Sequence, residues 1–324
     1  TLPSREKITL EEFEPTVWDW DSEYVKGQKA RGKQIGHTYV KIMHGYMKSH
    51  VLPDLGTKRI SKLTRRDIEQ WQIMKLNEGK IKAKTINSAT TALRVVLREA
   101  VNAGIRKDNP ASGIGKLTEK AEKRGALSRE EAKKVLNPKQ WKRFDMWVLN
   151  LTAATTGIRM GALQGLTVGA VFPGYIDIQQ AWERTKNFKE PKWGSCRKVP
   201  IGGMVFSALA EQIARLPNRH PNALVFPGSI AGQPVNNKTI LEHLKKAMVK
   251  AGISEKDRTS RGLSFHSWRH FATTQLRKAG INDAQVKAIT GHKTASMLDI
   301  YGAHFRPEDF KGAVKILEEG ILKK

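Results

Sequence analysis

At 324 residues the chain is long enough for two domains of about 150 residues each, and 57 Lys and Arg against 31 Asp and Glu leave a formal charge of +26, more than solubility requires, so a polyanionic partner is expected. The single cysteine, Cys196, excludes a disulfide framework and a paired-cysteine zinc site. No apolar run approaches the roughly 18 residues of a membrane span and no signal-peptide pattern opens the chain, which excludes a membrane protein and points to the cytoplasm, in a nucleoid.

Residues 1–110 carry 21 Lys and Arg and 13 Asp and Glu, net +8, which leaves +18 for the remainder, so both halves are expected to touch the polyanion. The opening is the exception. Glu6, Glu11, Glu12, Glu14, Asp19, Asp21 and Glu23 face only Arg5 and Lys7 before Lys26, a stretch suited to packing on protein. The chain starts at Thr1, not Met, which is read as the mark of a processed or removed N-terminal piece.

From Glu11, Phe13, Val17, Trp20 and Tyr24 recur at helical spacing, and Thr38 is placed to cap a second helix carrying Val40, Met43 and Met47. Thr64 with Asp67 caps a third, from Asp67 to about Asn77, and the stripe Ile86, Ala89, Leu93, Val96, Leu97, Ala100 and Val101 makes a fourth. Residues 1–112 therefore read as an all-helical domain. Arg31, Lys33, Lys80, Lys82 and Lys84 fall in its connections, where they are either solvated surface or contacts to backbone phosphates. Residues 113–127, after Asn109-Pro110, lack periodicity and read as a linker; Ser128-Arg129-Glu130-Glu131 is a capping box that opens a second unit, 128–305. Its helical patterns are interrupted by Tyr175-Ile176-Asp177-Ile178 and Val199-Pro200-Ile201, a short sheet. In the tail, 306–324, Val314, Leu317 and Ile321 form one apolar helical face.

The segment Phe265-His266-Ser267-Trp268-Arg269-His270 carries the most chemistry. On a helix, His266 and Arg269 emerge from one face near the N-terminus, where backbone N–H groups favour an anion, so the pair can clamp a phosphate. Two other readings stand beside it: half a zinc site from His266 and His270, which lacks an intervening Glu and an acidic third ligand, or a buried structural His with a surface Arg. Thr156-Gly157-Ile158-Arg159 places another Arg after a glycine turn, and Thr290-Gly291-His292 precedes Tyr301.

Taken together these boxes resemble the tyrosine recombinases, the phage-type integrases: an Arg box, H-x-x-R, G-H and a nucleophilic Tyr, in that order, over roughly residues 126–306. Leu52-Pro53-x-Leu55-Gly56, Leu63-Thr64-x-x-Asp67-Ile68 and Gly104-Ile105 with Asn109-Pro110 are similar to the family's core-binding domain. The resemblance implies a mainly α fold with a small antiparallel sheet, in which a helical core-binding domain precedes an α+β catalytic domain. It implies a site-specific recombinase that integrates or excises a mobile element such as a phage, acting on double-stranded DNA through a 3′-phosphotyrosine on Tyr301 without metal, ATP or other cofactor. Arg159 and Arg269 would clamp the phosphate, and His266 and His292 would assist. A hairpin Lys would protonate the leaving 5′-hydroxyl; Lys186, Lys189 and Lys192 are available, and Lys192 is preferred because Lys192-Trp193-Gly194 precedes Val199-Pro200 at the family's usual separation. Four subunits would assemble on paired sites, with DNA-bending accessory proteins among the partners, and the tail helix would dock on a neighbouring subunit or its own domain. The family's acidic residue three positions after the first Arg is Ala162 here, so a carboxylate elsewhere is expected to replace it. An inactive DNA-binding or architectural protein of the same fold is the alternative, and it would show a broken Arg, His or Tyr position; none is broken.

Overall fold

The computed structural model describes residues 7–33, 35–119, 125–183, 187–189 and 196–291, with 312, 315, 318 and 319 in the tail. The chain divides into two units, Thr1–Ala121 and Glu122–Lys324, each with its own hydrophobic cluster.

The helix expected from Glu11 is three short ones: α1 (Leu10–Phe13), α2 (Pro15–Trp18) and α3 (Glu23–Ala30). Pro15 has no N–H to continue α1 and so starts α2, and Asp19 adopts an extended conformation that ends it. These breaks shift the register, so that Trp18, not Trp20, is buried with Phe13 and Val17. Helix α4 (His37–Tyr46) is capped by Gly36 in the extended conformation, two residues before the expected Thr38, and passes through a π-helical turn (Met47–Val51) into α5 (Leu52–Leu55). Helix α6 (Arg65–Glu78) opens on the expected box: the Thr64 side chain accepts from Asp67 N, and Asp67 accepts from Thr64 N at 2.9 Å. Helix α7 (Ala83–Asn102) buries Ile86, Ala89, Leu93, Val96, Leu97 and Ala100, the face its spacing predicts. The first core extends past the expected edge at 112. Ala111 and Ile114 are buried in it, and Leu117 exchanges two hydrogen bonds with the Asn87 side chain, both 2.9 Å.

In the second unit, Gly125 N donates to Arg261 O at 2.6 Å, and the Arg261 guanidinium forks onto Glu131 at 2.6 and 2.9 Å. This ties the opening of α8 (Arg129–Val135), capped by Ser128, to Arg261, 130 residues beyond Glu131 in sequence. Helix α9 (Phe144–Thr156) is the central element, buried on nearly every side. After α10 (Met160–Gln164) come β1 (Val171–Phe172), β2 (Tyr175–Ile178), β3 (Ala181–Trp182), β4 (Phe188–Lys189) and β5 (Arg197–Pro200). β1, β2 and β5 form one antiparallel sheet in that order, with Tyr175 opposite Pro200; β3 pairs with β4. Helices α11 (Gly203–Ala214), α12 (Asn237–Lys250), α13 (Glu255–Ser260), α14 (His266–Lys278) and α15 (Asp283–Thr290) complete the unit. Helix α14 packs on α9 through Trp268 and Phe271, and Trp268 Nε1 donates to the buried Asn150 Oδ1 at 2.9 Å. The fold is mainly helical with small antiparallel sheets, and among the described residues no helix is long and apolar enough to cross a membrane.

The tail stripe Val314, Leu317 and Ile321 lies outside the described residues. Glu318 is described, and it meets its own chain: its carboxylate accepts from Val205 N at 3.5 Å in the first turn of α11, where burial raises its pKa. Gly202 makes room for it, since a Cβ there would overlap the carboxylate.

Candidate active site

Two helices that end the same way build the site. Helix α9 stops at Gly157, whose φ of +66° lets the chain reverse, and Gly157 N closes the last turn on Ala153 O at 2.8 Å. The reversal leaves Arg159 extended at the N-cap of α10, half-buried. Helix α15 stops at Gly291, φ +68°, with Gly291 N on Lys287 O at 2.7 Å. At each C-terminus the last carbonyls have no partner within their own helix and carry the negative end of the helix dipole, so a cation is favoured there.

Arg269 meets both ends. Its Nη1 donates to Gly157 O at 2.8 Å and, through a shorter bond, to Thr290 O. Three residues earlier, His266 begins α14 on the same face, half-buried, its ring edge-to-face with His270 at 4.9 Å between centroids. Arg269 itself is only 2% exposed, which removes the reading of a surface Arg. Among the described residues no cluster of three His, Cys, Asp or Glu is arranged to hold a metal ion.

A third guanidinium, which the motifs did not flag, joins these two. Arg197 in β5 donates from Nη2 to Thr290 O at 3.2 Å and from Nε to Ile289 O at 3.5 Å. Its signal was parity. Arg197 lies two residues before the buried Val199, so on a strand it shares the inward face, while Lys198 points out. The three charges act on one another. Burial, then the Arg159 and Arg197 charges, bring Arg269 down to about 9; burial, then Arg159, bring Arg197 down to about 10; and burial lowers Arg159. All three remain protonated at neutral pH, a concentration of positive charge matched to a phosphate.

The described orienting contacts of Arg269 and Arg197 are to backbone carbonyls; Ala162, where a carboxylate was missed, is buried in the core. His292, Tyr301, Lys186 and Lys192 lie outside the described residues. Lys189, on β4, is ion-paired with Glu183, and Cys196 is exposed. In the first unit Arg31, Lys33, Lys80, Lys82 and Lys84 are all exposed, in the connections α3–α4 and α6–α7 or the first turn of α7, as their positions predicted.

The model of the phage integrase family matches residues 127–307, the unit that carries these arginines. An integrase of Streptomyces ambofaciens is 24% identical over 304 residues, which cover 85% of this chain and 73% of that protein. The fold is shared with the Tn1549 transposon integrase, solved in complex with transposon right end DNA, at a TM-score of 0.69 and 20% identity over 95% of this chain and 99% of that one. It is shared too with lambda integrase (75–356), solved as a dimer bound to a COC′ core site, at 0.68 and 18% over 89% and 96%. With residues 127–307, more than half of the chain, matched by that family model, the chain belongs to the phage integrase family and is a site-specific DNA recombinase.

Proposed function

We propose that this recombinase cuts DNA by attack of Tyr301 on a phosphodiester held by Arg159 and Arg269. The observation that carries this reading is the Arg269 guanidinium, fixed on carbonyls at the ends of α9 and α15 and near enough to Arg159, at the start of α10, for the two charges to repel. Attack passes through a phosphorane whose equatorial oxygens gain negative charge, and fixed guanidinium forks stabilise that charge more than they stabilise the ground state. A phenol of pKa about 10 needs its proton taken or a positive field around its oxygen. His266 and His292 assist there and hydrogen-bond the phosphate. Lys192 delivers a proton to the leaving 5′-oxygen, with Lys186 the nearest rival. The 3′-phosphotyrosine conserves the ester, so an incoming 5′-hydroxyl reverses the linkage without ATP or metal. The exposed Arg31, Lys33, Lys80, Lys82 and Lys84 bind backbone phosphates.

Exchange between two duplexes requires four cuts, and one Tyr per subunit therefore calls for a tetramer on paired sites. The dimer of lambda integrase on its core site supports assembly on DNA of this kind. The tail then passes from its own α11, where Glu318 sits in the single chain, to a neighbouring subunit.

A nicked suicide duplex tests the reading. The wild type should form a covalent adduct in EDTA that survives denaturing electrophoresis, and Tyr301→Phe should form none. Lys192→Ala should cleave about 10²–10⁴ times more slowly and recover when sulfur replaces the 5′ bridging oxygen, since a thiolate leaves without a proton. An adduct in Tyr301→Phe overturns the nucleophile; recovery in Lys186→Ala instead of Lys192→Ala reassigns the acid.

A further inference from the structure

Arg197 has no part in the chemistry set out above, yet it sits at the junction of three elements. Helix α15 ends with the carbonyls of Ile289 and Thr290 facing away from the helix, and both accept from Arg197. Thr290 O accepts from Arg269 as well, so one carbonyl carries two guanidiniums, one from β5 and one from α14. Gly291 is shaped for this arrangement. A Cβ there would stand 2.5 Å from Arg197 Cζ and 2.6 Å from both terminal nitrogens, so the glycine serves the arginine as much as the turn. Arg159 and Arg269 both repel Arg197, and the carbonyl ends of α15 are what make the site tolerable for a cation.

We propose that Arg197 is a positioning residue for strand cleavage: by gripping the Ile289 and Thr290 carbonyls it fixes the end of α15 and, through the shared Thr290 oxygen, the setting of Arg269 toward the phosphate. This rests on the assignment of Arg269 to the phosphate. With Arg197 truncated, Thr290 O loses one of the two guanidiniums that grip it, and the clamp loses its register. Misplacements of about 1 Å cost on the order of 10² in rate. Arg197 also stands five residues after Lys192, so the same grip fastens the strand that leaves the general-acid segment.

The test is single-turnover cleavage of the suicide duplex at saturating DNA, with DNA affinity and the melting temperature measured on the same full-length variants. Arg197→Ala should cleave about 10–100 times more slowly with DNA affinity within about threefold of wild type. The readout that a merely structural residue would not move is coupling. In an Arg269→Lys background the Arg197→Ala change should cost less than about threefold, because the setting it controls is already lost. Should Arg197→Ala fail to fold, Arg197→Lys, which keeps the charge but not the fork, replaces it with the same expected slowing and the same coupling. Gly291→Ala supplies a second cycle. Its left-handed strain is present in either background, but its clash with the guanidinium is not, so it should slow the wild type more than Arg197→Ala or Arg197→Lys. Wild-type cleavage by the Arg197 variant, or losses that simply multiply in both cycles, overturns the proposal. Arg269→Lys alone, run alongside, separates the two failures: wild-type cleavage by that variant counts against the assignment of Arg269 to the phosphate, whereas its slowing beside a fully active Arg197 variant counts only against Arg197.

Discussion

Arg269 shows how far a residue's role depends on what its backbone neighbours leave open. Its guanidinium is buried, and with Nη1 committed to carbonyls at two helix ends it still presents a planar fork, which an ammonium, with one nitrogen, does not have. Arg269→Lys should therefore lower the cleavage rate by about 10²–10³ while leaving DNA affinity near wild type, checked by single-turnover cleavage beside a binding titration. Gly157 is as constrained. At φ +66°, a Cβ would stand 3.0 Å from Thr290 Cγ2 and 3.3 Å from Ala272 Cβ, so Gly157→Ala strains the turn and pushes α14 and α15 away from α9. It should slow cleavage and lower the melting temperature together. The sequence announced Arg159, His266 and Arg269 because each sits in a short box of distinctive residues. Arg197 stands in no box, and its partners are carbonyls some ninety residues away in sequence, contacts that no local pattern encodes.

The same contrast runs through the elements. Helices α6, α7 and α8 were legible because their caps and apolar stripes are local: a capping box opens α6 and α8, and an unbroken 3.6-residue period runs along α7. The stripe Phe13, Val17, Trp20 and Tyr24 predicts one helix from Glu11 because periodicity carries across Pro15 and Asp19 while the backbone does not. Helix α4 starts two residues before Thr38 predicts, because a glycine cap leaves no side-chain signature. At α6 the cap makes a prediction in pH. Hydrogen bonds from Lys58, then from Thr64, hold the Asp67 carboxyl at about 2, below its ordinary 3.8. The stabilisation is complete above pH 3.8 and is lost as the pH falls through about 2. Acid unfolding followed by circular dichroism should show the wild type more stable than Asp67→Asn at pH 5, with the gap closing between those two values. A gap that stays constant to pH 2 refutes the assignment. Thr64→Ala, which removes the partner cap, should cost about 1 kcal/mol in chemical denaturation at pH 7.

At the scale of the molecule, the charge is spread over both units, +8 in the first 110 residues and +18 beyond, and the sequence showed this without any structure. Binding should fall steeply with salt, log K dropping by about 0.9 per neutralised phosphate for each tenfold rise. Replacing Lys80, Lys82 and Lys84 with Gln should reduce that slope by two to three units if each contacts a phosphate; an unchanged slope removes them from the interface. The boundary was less legible than the charge, because residues 113–119 look like a polar connector yet supply Ile114 and Leu117 to the first core. The two hydrophobic clusters share no residue: one is drawn from Ile8 to Leu117, the other from Leu127 to Ile289. In the language of inheritance, such a chain is divisible. A mobile element that captures a new leading unit, residues 1–121, need not rebuild the machinery that breaks the strand, since among the described residues each unit buries a hydrophobic cluster of its own. Transplanting that unit from a relative should hand the hybrid a new address on the genome while suicide-substrate cleavage stays within about tenfold of the parent. A hybrid that cuts only the parental site would show that the address is written in the remainder of the chain.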